Sequence, residues 1–148
     1  MTSGFFDSRQ IHRFPIRVYF EDTDFSGAVY HANYLKFCER GRSECLRLMG
    51  IHHHELHSGG GSDASAFVVR RMDCDFARPA RIDDLLEVHT TCIEASGARL
   101  VLDQRILKDE TLIFAAKVTV ALVGADGRPR RFPAAMAAAF KSLQTQAE

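Results

Sequence analysis

The order of apolar and polar residues changes its period twice between residues 17 and 47. Residues 16–20 alternate apolar and polar side chains, which predicts a β-strand. Residues 22–29 carry two aspartates, a serine and a glycine, which is typical of a turn. From residue 33 to 49 apolar residues recur every three or four positions, which predicts a helix that Gly50 ends. The apolar stripe of this helix comprises Tyr34, Phe37, Cys38, Gly41, Cys45 and Leu48.

The rest of the chain predicts four more strands and a C-terminal helix. The strands fall at residues 64–76, 85–94, 99–107 and 111–123, and the last three form an antiparallel meander with short turns. The strand at 111–123 is apolar on nearly both faces, as in a central strand covered on each side or covered by a second subunit. Pro133 opens the last helix.

These elements predict an α+β fold in which an antiparallel sheet of about five strands wraps around one long helix. Residues 1–14 are expected to form a loose arm, residues 51–57 a short helical extension, and the glycine-rich stretch 58–62 a flexible loop. A wrapped sheet of this kind keeps an unpaired edge, so a homodimer is expected.

Composition narrows the classes of function. The 148 residues suit a single domain over 1–148, and 19 basic against 19 acidic residues leave no net charge, which argues against a nucleic-acid partner. No apolar run is long enough for a membrane span, and residues 1–15 do not resemble a secretory signal. The four cysteines show no paired short spacing, so free thiols and a cytoplasmic location are expected.

Asp24 is the first candidate for chemistry. An aspartate is ionised at neutral pH, and at the end of a strand it could attack a carbonyl or take a proton from water. Gly27 permits a tight backbone path nearby, and the helix N-terminus beyond it offers amide donors for an oxygen that becomes negative. The alternative is that Asp22 and Asp24 simply cap turns or the helix.

Three other residues near the helix N-terminus are weaker candidates. His31 could position a thioester or a water molecule, or it could be a solvent-facing capping residue. Tyr30 is better suited to line a pocket than to act as an acid, because a phenol has a high pKa. Glu39 could face the same pocket from across a dimer, although a surface ion pair is the commoner role.

Other patterns predict no catalytic centre. The histidine-rich run at residues 52–57 lacks the His-Glu-x-x-His pattern and an evident third ligand, so no metal site is predicted. Scattered arginines could hold phosphates but are more typical of surface charge: Arg70, Arg71, Arg99, Arg128, Arg130 and Arg131. The chain has no Gly-x-Ser-x-Gly elbow, phosphate loop or dinucleotide fingerprint.

The segment from Tyr19 to His31 resembles the corresponding segment of the hotdog-fold acyl-CoA thioesterases. Asn33-Tyr34 and residues 39–44 extend the likeness, as do the stretches at 75–81, 83–86 and 96–99. The chain is most similar to the 4-hydroxybenzoyl-CoA thioesterase family, and within it to the short-chain acyl-CoA thioesterases associated with the Tol–Pal system. The resemblance covers roughly residues 14–140.

This resemblance implies a function and a site. Asp24 matches the catalytic carboxylate, proposed as nucleophile or general base, and His31 matches the start of the central helix, whose amide polarises the thioester carbonyl. Tyr30 matches a residue lining the acyl site, and Gly27 is kept. The family's sites lie between subunits of dimers that often pair into tetramers, and no metal or redox cofactor is needed. Contact with an acyl carrier protein or an envelope complex is a further possibility.

The segment also departs from the family pattern. Ser26-Gly27 stands where related sequences have Gly-Gly, and Ala28 where they have valine. These residues touch the acyl group in the family, so they bear on acyl preference more than on reaction class. The expected activity is hydrolysis of an acyl-CoA, short-chain or aromatic, to free acid and coenzyme A. A hotdog hydratase or dehydratase and a non-catalytic acyl-binding or scaffolding subunit are the alternatives.

Overall fold

The computed structural model of the chain describes residues 3–58 and 64–144, and within them six strands and three helices. In chain order these are β1 (Phe5–Phe6), β2 (His12–Arg17), α1 (Asn33–Leu48), α2 (His53–His57), β3 (Ser65–Phe76), β4 (Leu85–Ser96), β5 (Arg99–Lys108), β6 (Thr111–Gly124) and α3 (Ala134–Leu143). A 3₁₀ turn, Phe20–Asp22, lies between β2 and α1. The predicted flexible loop lies, except for Ser58, outside the described residues.

The strands form one antiparallel sheet in the order β1-β2-β4-β5-β6-β3. The predicted meander of β4, β5 and β6 is confirmed. β6 lies between β5 and β3, so the prediction of a central strand is also confirmed. β3 pairs with β6, the last strand of the chain, and its other side is unpaired among the described residues, so β3 forms one edge of the sheet.

α1 lies against the inner face of this sheet, as its apolar stripe predicts. Gly41 allows the helix backbone to approach Val88 of β4, whose side chain is fully buried. The fully buried Gln104 of β5 donates from Nε2 to the carbonyl of Cys38 (3.0 Å) and to Oγ1 of Thr90 (2.9 Å). The α+β architecture of a sheet around a long helix is therefore confirmed, with β1 as a sixth, short strand.

The expectation of a loose arm over residues 1–14 is wrong for the part that the structure describes. β1 pairs with β2, and His12 is fully buried. Oδ1 of Asp7 accepts hydrogen bonds from the amides of Arg9 (2.9 Å) and Ile11 (3.1 Å), which closes a tight hairpin. The ring of Phe6 lies 5.3 Å from that of His12, so the hairpin has a small core of its own.

The strand predicted over residues 16–20 ends earlier in the structure than the sequence pattern indicates. β2 ends at Arg17, and Phe20 is exposed within the 3₁₀ turn. Oδ2 of Asp22 accepts a hydrogen bond from the amide of Tyr19 (2.8 Å), which bends the chain where alternation predicted extended backbone.

The C-terminal helix α3 begins directly after Pro133, as predicted. Its Phe140 is buried and packs against Phe132 and Phe67, with ring centroids 5.0 Å and 6.4 Å away. α3 therefore closes one end of the sheet's inner face. No helix of residues 3–58 and 64–144 is long and apolar enough to cross a membrane.

Substituting Gly41 tests the contact between α1 and the sheet. An alanine Cβ at this position would lie 2.6 Å from Cγ1 and 3.2 Å from Cβ of Val88, closer than packed carbon atoms normally approach. We expect Gly41→Ala to lower the free energy of unfolding by about 1–3 kcal/mol, since overpacking outweighs the gain in helix propensity. Urea denaturation measures the change. In a double-mutant cycle, Val88→Ala should relieve part of the cost, and a Gly41→Ala protein as stable as wild type would contradict the prediction.

Candidate active site

Asp24 lies in a tight loop between the 3₁₀ turn and α1. Its Oδ1 accepts hydrogen bonds from the amide of Ser26 (2.9 Å) and from the Ser26 hydroxyl (2.5 Å). The amide of Asp24 donates to the carbonyl of Ala28, and the amide of Gly27 donates to the carbonyl of Asp24. Gly27 has a φ of 86°, a conformation that favours glycine. The loop thus holds the Asp24 side chain in one orientation.

Only one oxygen of the Asp24 carboxylate is used by this turn. Within residues 3–58 and 64–144, Oδ2 has no hydrogen-bond partner, and the side chain is exposed. The hydroxyl and then the amide of Ser26 lower the pKa of Asp24, and the charge of His31 lowers it further. The sequence left two alternatives for Asp24, a turn residue or a residue that does chemistry. In the structure these two roles are compatible.

Asp22 has a structural role. In addition to the bond from Tyr19 to its carboxylate, its carbonyl accepts hydrogen bonds from the amide of Tyr30 (2.9 Å) and from Nδ2 of Asn33 (2.8 Å). These bonds connect the 3₁₀ turn to the first residue of α1. The two aspartates of the loop therefore differ in their surroundings, although each lies next to a turn.

The start of α1 presents backbone donors beside this loop. The amide of Asn33 donates to the carbonyl of Tyr30 (2.8 Å), and that of Tyr34 to the carbonyl of His31 (3.4 Å). In the described part of the chain, the amides of His31 and Ala32 have no hydrogen-bond acceptor. Unpaired amides at the positive end of a helix dipole suit an anionic oxygen.

The loop is anchored to the connection between β3 and β4. The amide of Val29 donates to the carbonyl of Ala80 (2.8 Å), and the amide of Ala80 donates to Oη of Tyr34 (3.0 Å). The Tyr34 ring stacks on Phe114 of β6 at 5.4 Å. Because these groups are buried, the loop and the helix start are fixed relative to the sheet.

Aromatic rings surround the loop. The ring of Tyr30, which is about half exposed, lies 4.6 Å from that of His31, and the ring of Phe76 lies 6.0 Å from that of His31. Phe25 is fully exposed. The structure therefore brings Asp24, Gly27, Tyr30 and His31 into one region, and adds Ser26 and Phe76 to it. Phe76 carried no sequence signal as a site residue because it reaches His31 through tertiary packing.

Other candidate residues lie elsewhere. Glu39 is exposed on α1 and borders a separate cavity. Nε2 of His53, in the histidine-rich run, lies 3.0 Å from the hydroxyl of Ser43. Across the described ranges, no group of three or more His, Cys, Asp or Glu residues is placed to hold a metal ion. Arg70, Arg71 and Arg99 line one open groove, so part of the scattered basic charge is gathered there.

Comparison with known proteins identifies the family. The sequence profile of the thioesterase superfamily matches residues 26–115, more than half of the chain. An acyl-CoA thioester hydrolase, YbgC, of Escherichia coli is 44% identical over 133 residues, which cover 88% of this chain and 96% of that protein. The acyl-CoA thioesterase YbgC of Haemophilus influenzae is 40% identical over 132 residues, covering 88% and 95%.

Solved structures agree with this result. A probable thioesterase from Bartonella henselae superposes with a TM-score of 0.80 at 50% identity, covering 83% of this chain and 99% of that one. A 1,4-dihydroxy-2-naphthoyl-CoA thioesterase from Synechocystis, at 24% identity, shares the fold with a TM-score of 0.81, over 90% of this chain and 97% of that one. The chain therefore belongs to the thioesterase superfamily and has its hotdog fold, a sheet wrapped around a central helix.

Proposed function

We propose that this thioesterase-superfamily member hydrolyses acyl-CoA to a free acid and coenzyme A, with Asp24 as the catalytic carboxylate. The observation that carries the proposal is an exposed Asp24 carboxylate close enough to His31 for the two side chains to interact electrostatically, in a loop that leads to the unpaired amides of His31 and Ala32. An ionised carboxylate and an oxyanion-binding pair of amides are the two groups that acyl transfer requires. The YbgC proteins of Escherichia coli and Haemophilus influenzae, by their names, support the substrate class.

The reaction needs no further side chain as nucleophile. Asp24 either attacks the thioester carbonyl, forming a mixed anhydride as the thiolate leaves, or takes a proton from the water that attacks. In both routes the carbonyl oxygen becomes negative and accepts hydrogen bonds from the amides of His31 and Ala32. When water attacks the acyl carbon, it supplies the second oxygen of the acid. When it attacks the aspartyl carbon of an anhydride, the acid keeps an Asp24 oxygen and water restores the carboxylate. In each case the thiolate takes up a proton.

Three neighbouring residues support this chemistry. Gly27 lets the loop turn so that Asp24 approaches the helix start, which a side chain at a φ of 86° would disfavour. The His31 imidazole, between the rings of Tyr30 and Phe76, positions the thioester or the water. Tyr30 forms a wall for the acyl group with the apolar part of its exposed ring.

A homodimer formed through β3 fits the unpaired sheet edge. The edge strand is 12 residues long, and its Val69, in the N-terminal half, and Phe76, the last residue, are 44% and 49% exposed. A long unpaired edge with exposed apolar side chains favours pairing with another strand. An antiparallel pair of β3 strands related by a two-fold axis satisfies both edges at once, and such dimers can pair further into a tetramer.

A cytoplasmic location is part of the proposal. Among the described residues, Cys38, Cys45 and Cys74 are free thiols, which is typical of proteins in a reducing compartment.

Replacing the Asp24 carboxylate should abolish hydrolysis. We expect Asp24→Asn to lower kcat/KM for acyl-CoA by about 10²–10⁴-fold, because an amide is neither a base nor a competent nucleophile. A thiol-release assay measures the rate. Asp22→Asn is the matched control, since its side-chain oxygen can still accept the bond from Tyr19 and its activity should persist. Unchanged turnover in Asp24→Asn would refute the assignment of Asp24. If wild type instead removes the absorbance of an enoyl-CoA without releasing thiol, a hydratase is favoured.

A single turnover in ¹⁸O-labelled water tests the nucleophile role of Asp24. A mixed anhydride hydrolysed at the aspartyl carbon leaves the label in the Asp24 carboxylate, whereas a general base, like an anhydride hydrolysed at the acyl carbon, acquires none. Label in Asp24 therefore establishes the nucleophile. Mass spectrometry of the peptide containing Asp24 measures the label.

Ser26 should determine the pH below which activity is lost, because it lowers the pKa of Asp24. Its hydroxyl is the largest cause of the lowered pKa of Asp24, so Ser26→Ala raises that pKa towards its ordinary value. Asp24 works as a carboxylate, and activity falls as the pH drops through its pKa. The acid limb of the kcat/KM profile should therefore move to higher pH in Ser26→Ala. Thr23→Val is the control, because its hydroxyl donates to the carbonyl of Phe20 and not to Asp24; an acid limb that stays in place in Ser26→Ala would contradict the account.

A charge on the sheet edge should break the dimer. Wild type should sediment at micromolar concentration with at least twice the 16.6 kDa of one chain. Val69→Lys places an ammonium group at the inner side of the edge and should shift the protein towards monomer. Ile93→Lys, at an exposed site on β4 away from the edge, should leave the assembly unchanged. A monomeric wild type, or a Val69→Lys protein that assembles like wild type, would exclude this interface.

A further inference from the structure

A cavity of about 170 Å³ lies between α1, the inner face of the sheet and α3. Most of its walls are apolar, and they include Leu46, Met49, Leu102, Val120, Phe140 and Leu143. An apolar cavity of about 150 Å³ is large enough for one benzene molecule. This space therefore has room for a hydrocarbon chain of about five or six carbons.

A permanently charged cation borders this apolar space. Arg42 of α1 lines the cavity, is partly buried, and donates from Nη1 to Oε1 of Gln104 (3.0 Å). A guanidinium has several more N–H donors, and the described part of the chain supplies no acceptor to Nε or Nη2 of Arg42. Gln104 does not neutralise the charge, because it is a neutral amide whose own donors bind Thr90 and the Cys38 carbonyl.

Arg42 also has no ion-pair partner among residues 3–58 and 64–144. Burial lowers the pKa of its guanidinium, and the nearby Cys38 and Glu39 act in the opposite direction. Glu39 is exposed, so water screens its charge. A partly buried cation without a partner is unfavourable, and this favours the binding of an anion from solution.

The opening of the cavity lies on the side of Arg42. Glu39 and His53 are exposed residues of the lining, and Nε2 of His53 lies 3.0 Å from the hydroxyl of Ser43, the neighbour of Arg42. Buried walls close the space on the other sides: Leu100, Leu102, Val120 and Phe140. A ligand therefore meets a positive charge at the opening and an apolar surface within.

The Asp24 loop does not border this cavity. None of the described lining residues comes from residues 20–34. Arg42 follows His31 by three turns of α1, or about 16 Å along the helix axis. The walls all belong to one chain and include Phe6 of the N-terminal hairpin, so a ligand in the cavity needs neither the catalytic loop nor a second copy.

We propose that this cavity binds a free monocarboxylic acid with a tail of about five carbons, at a site separate from that of Asp24. The carboxylate accepts hydrogen bonds from Nε and Nη2 of Arg42, a pair of donors that matches its two oxygens. The tail fills the apolar space and restores the packing contacts that an empty cavity lacks. The inference does not rest on the proposed function, because it involves no thioester and no catalytic step.

Ligands of one length but different charge test the role of the cation. Hexanoate, 1-hexanol and hexylamine are titrated into the Asp24→Asn protein by calorimetry, so that no turnover is involved. Hexanoate should bind at least about tenfold more tightly than 1-hexanol, because only the carboxylate forms charged hydrogen bonds with Arg42. Hexylamine should bind more weakly than 1-hexanol. Equal affinities for hexanoate and 1-hexanol, or no binding of hexanoate, would overturn the proposal.

Removing the charge tests the same contact from the side of the protein. Arg42→Gln keeps a donor for Gln104, and it should lose at least about tenfold in affinity for hexanoate while it binds 1-hexanol like wild type. Arg40→Gln is the matched control, because Arg40 is exposed on α1 and does not line the cavity. A folded Arg42→Gln protein that binds hexanoate like wild type would contradict the proposal. If this variant does not fold, the ligand series decides.

Filling the cavity tests the place of the tail. Val120→Phe adds a ring at a buried wall, and Leu102→Phe is a second variant if the first fails to fold. In either one the affinity for hexanoate should fall at least about tenfold, because several methylene groups lose their apolar surroundings. Ile93→Phe, at an exposed site on β4, is the control and should bind hexanoate like wild type. Wild-type affinity in both filled variants would place the ligand elsewhere.

The outcomes separate this inference from the proposed function. The affinity of the Asp24→Asn protein for hexanoate should be unchanged by saturating acetyl-CoA. If acetyl-CoA displaces hexanoate, the acid lies in the catalytic site and the inference fails, although the proposed function stands. If wild type releases thiol from no acyl-CoA, the proposed function fails, and the binding of hexanoate is judged on its own.

Discussion

The contact between α1 and the inner face of the sheet is the constraint on which the rest of the structure depends. Gly41 lets the helix lie directly on Val88, and the buried Gln104 joins the helix backbone to β4 and β5. A buried amide is tolerated only where its hydrogen bonds are made, so a shift of the helix along the sheet would leave Gln104 unpaired. The first turn of α1, and with it the amides of His31 and Ala32, is thereby fixed.

The two aspartates of the loop before α1 differ in their hydrogen bonds. The carboxylate of Asp22 accepts a hydrogen bond from the Tyr19 amide, and its carbonyl accepts hydrogen bonds from Tyr30 and Asn33. Asp22 therefore joins the loop to the start of α1. Asp24 uses one oxygen on Ser26 and leaves the other exposed, with its pKa lowered. Surroundings, rather than residue type, therefore separate a structural carboxylate from one available for chemistry.

Long elements could be predicted from the sequence because their periodicity is local. α1 and β3 to β6 lie within about two residues of their predicted bounds, which is close to the usual spread of boundary assignment. The N-terminal hairpin could not be predicted in this way. It depends on hydrogen bonds to the side chain of Asp7 and on the burial of His12, a residue that counts as polar in a sequence pattern. Two other features depend on contacts between residues far apart in the sequence: the pairing of β3 with β6, and the position of Phe76 beside His31. No pattern along the chain predicts them.

The candidate site could be predicted only in part for a related reason. Sequence pattern alone left Asp24 as a turn residue or a catalyst, and only the resemblance to thioesterases favoured the second. The cavity that Glu39 borders had no sequence signal at all, because its walls come from eight separate strands and helices. Volume left unfilled by a core costs stability, since its walls lose contacts. The cavity beside α1 therefore carries a packing cost. Periodicity along the chain reports which residues face the core, but it does not report how completely their side chains fill it, so such a space becomes visible only in the folded structure.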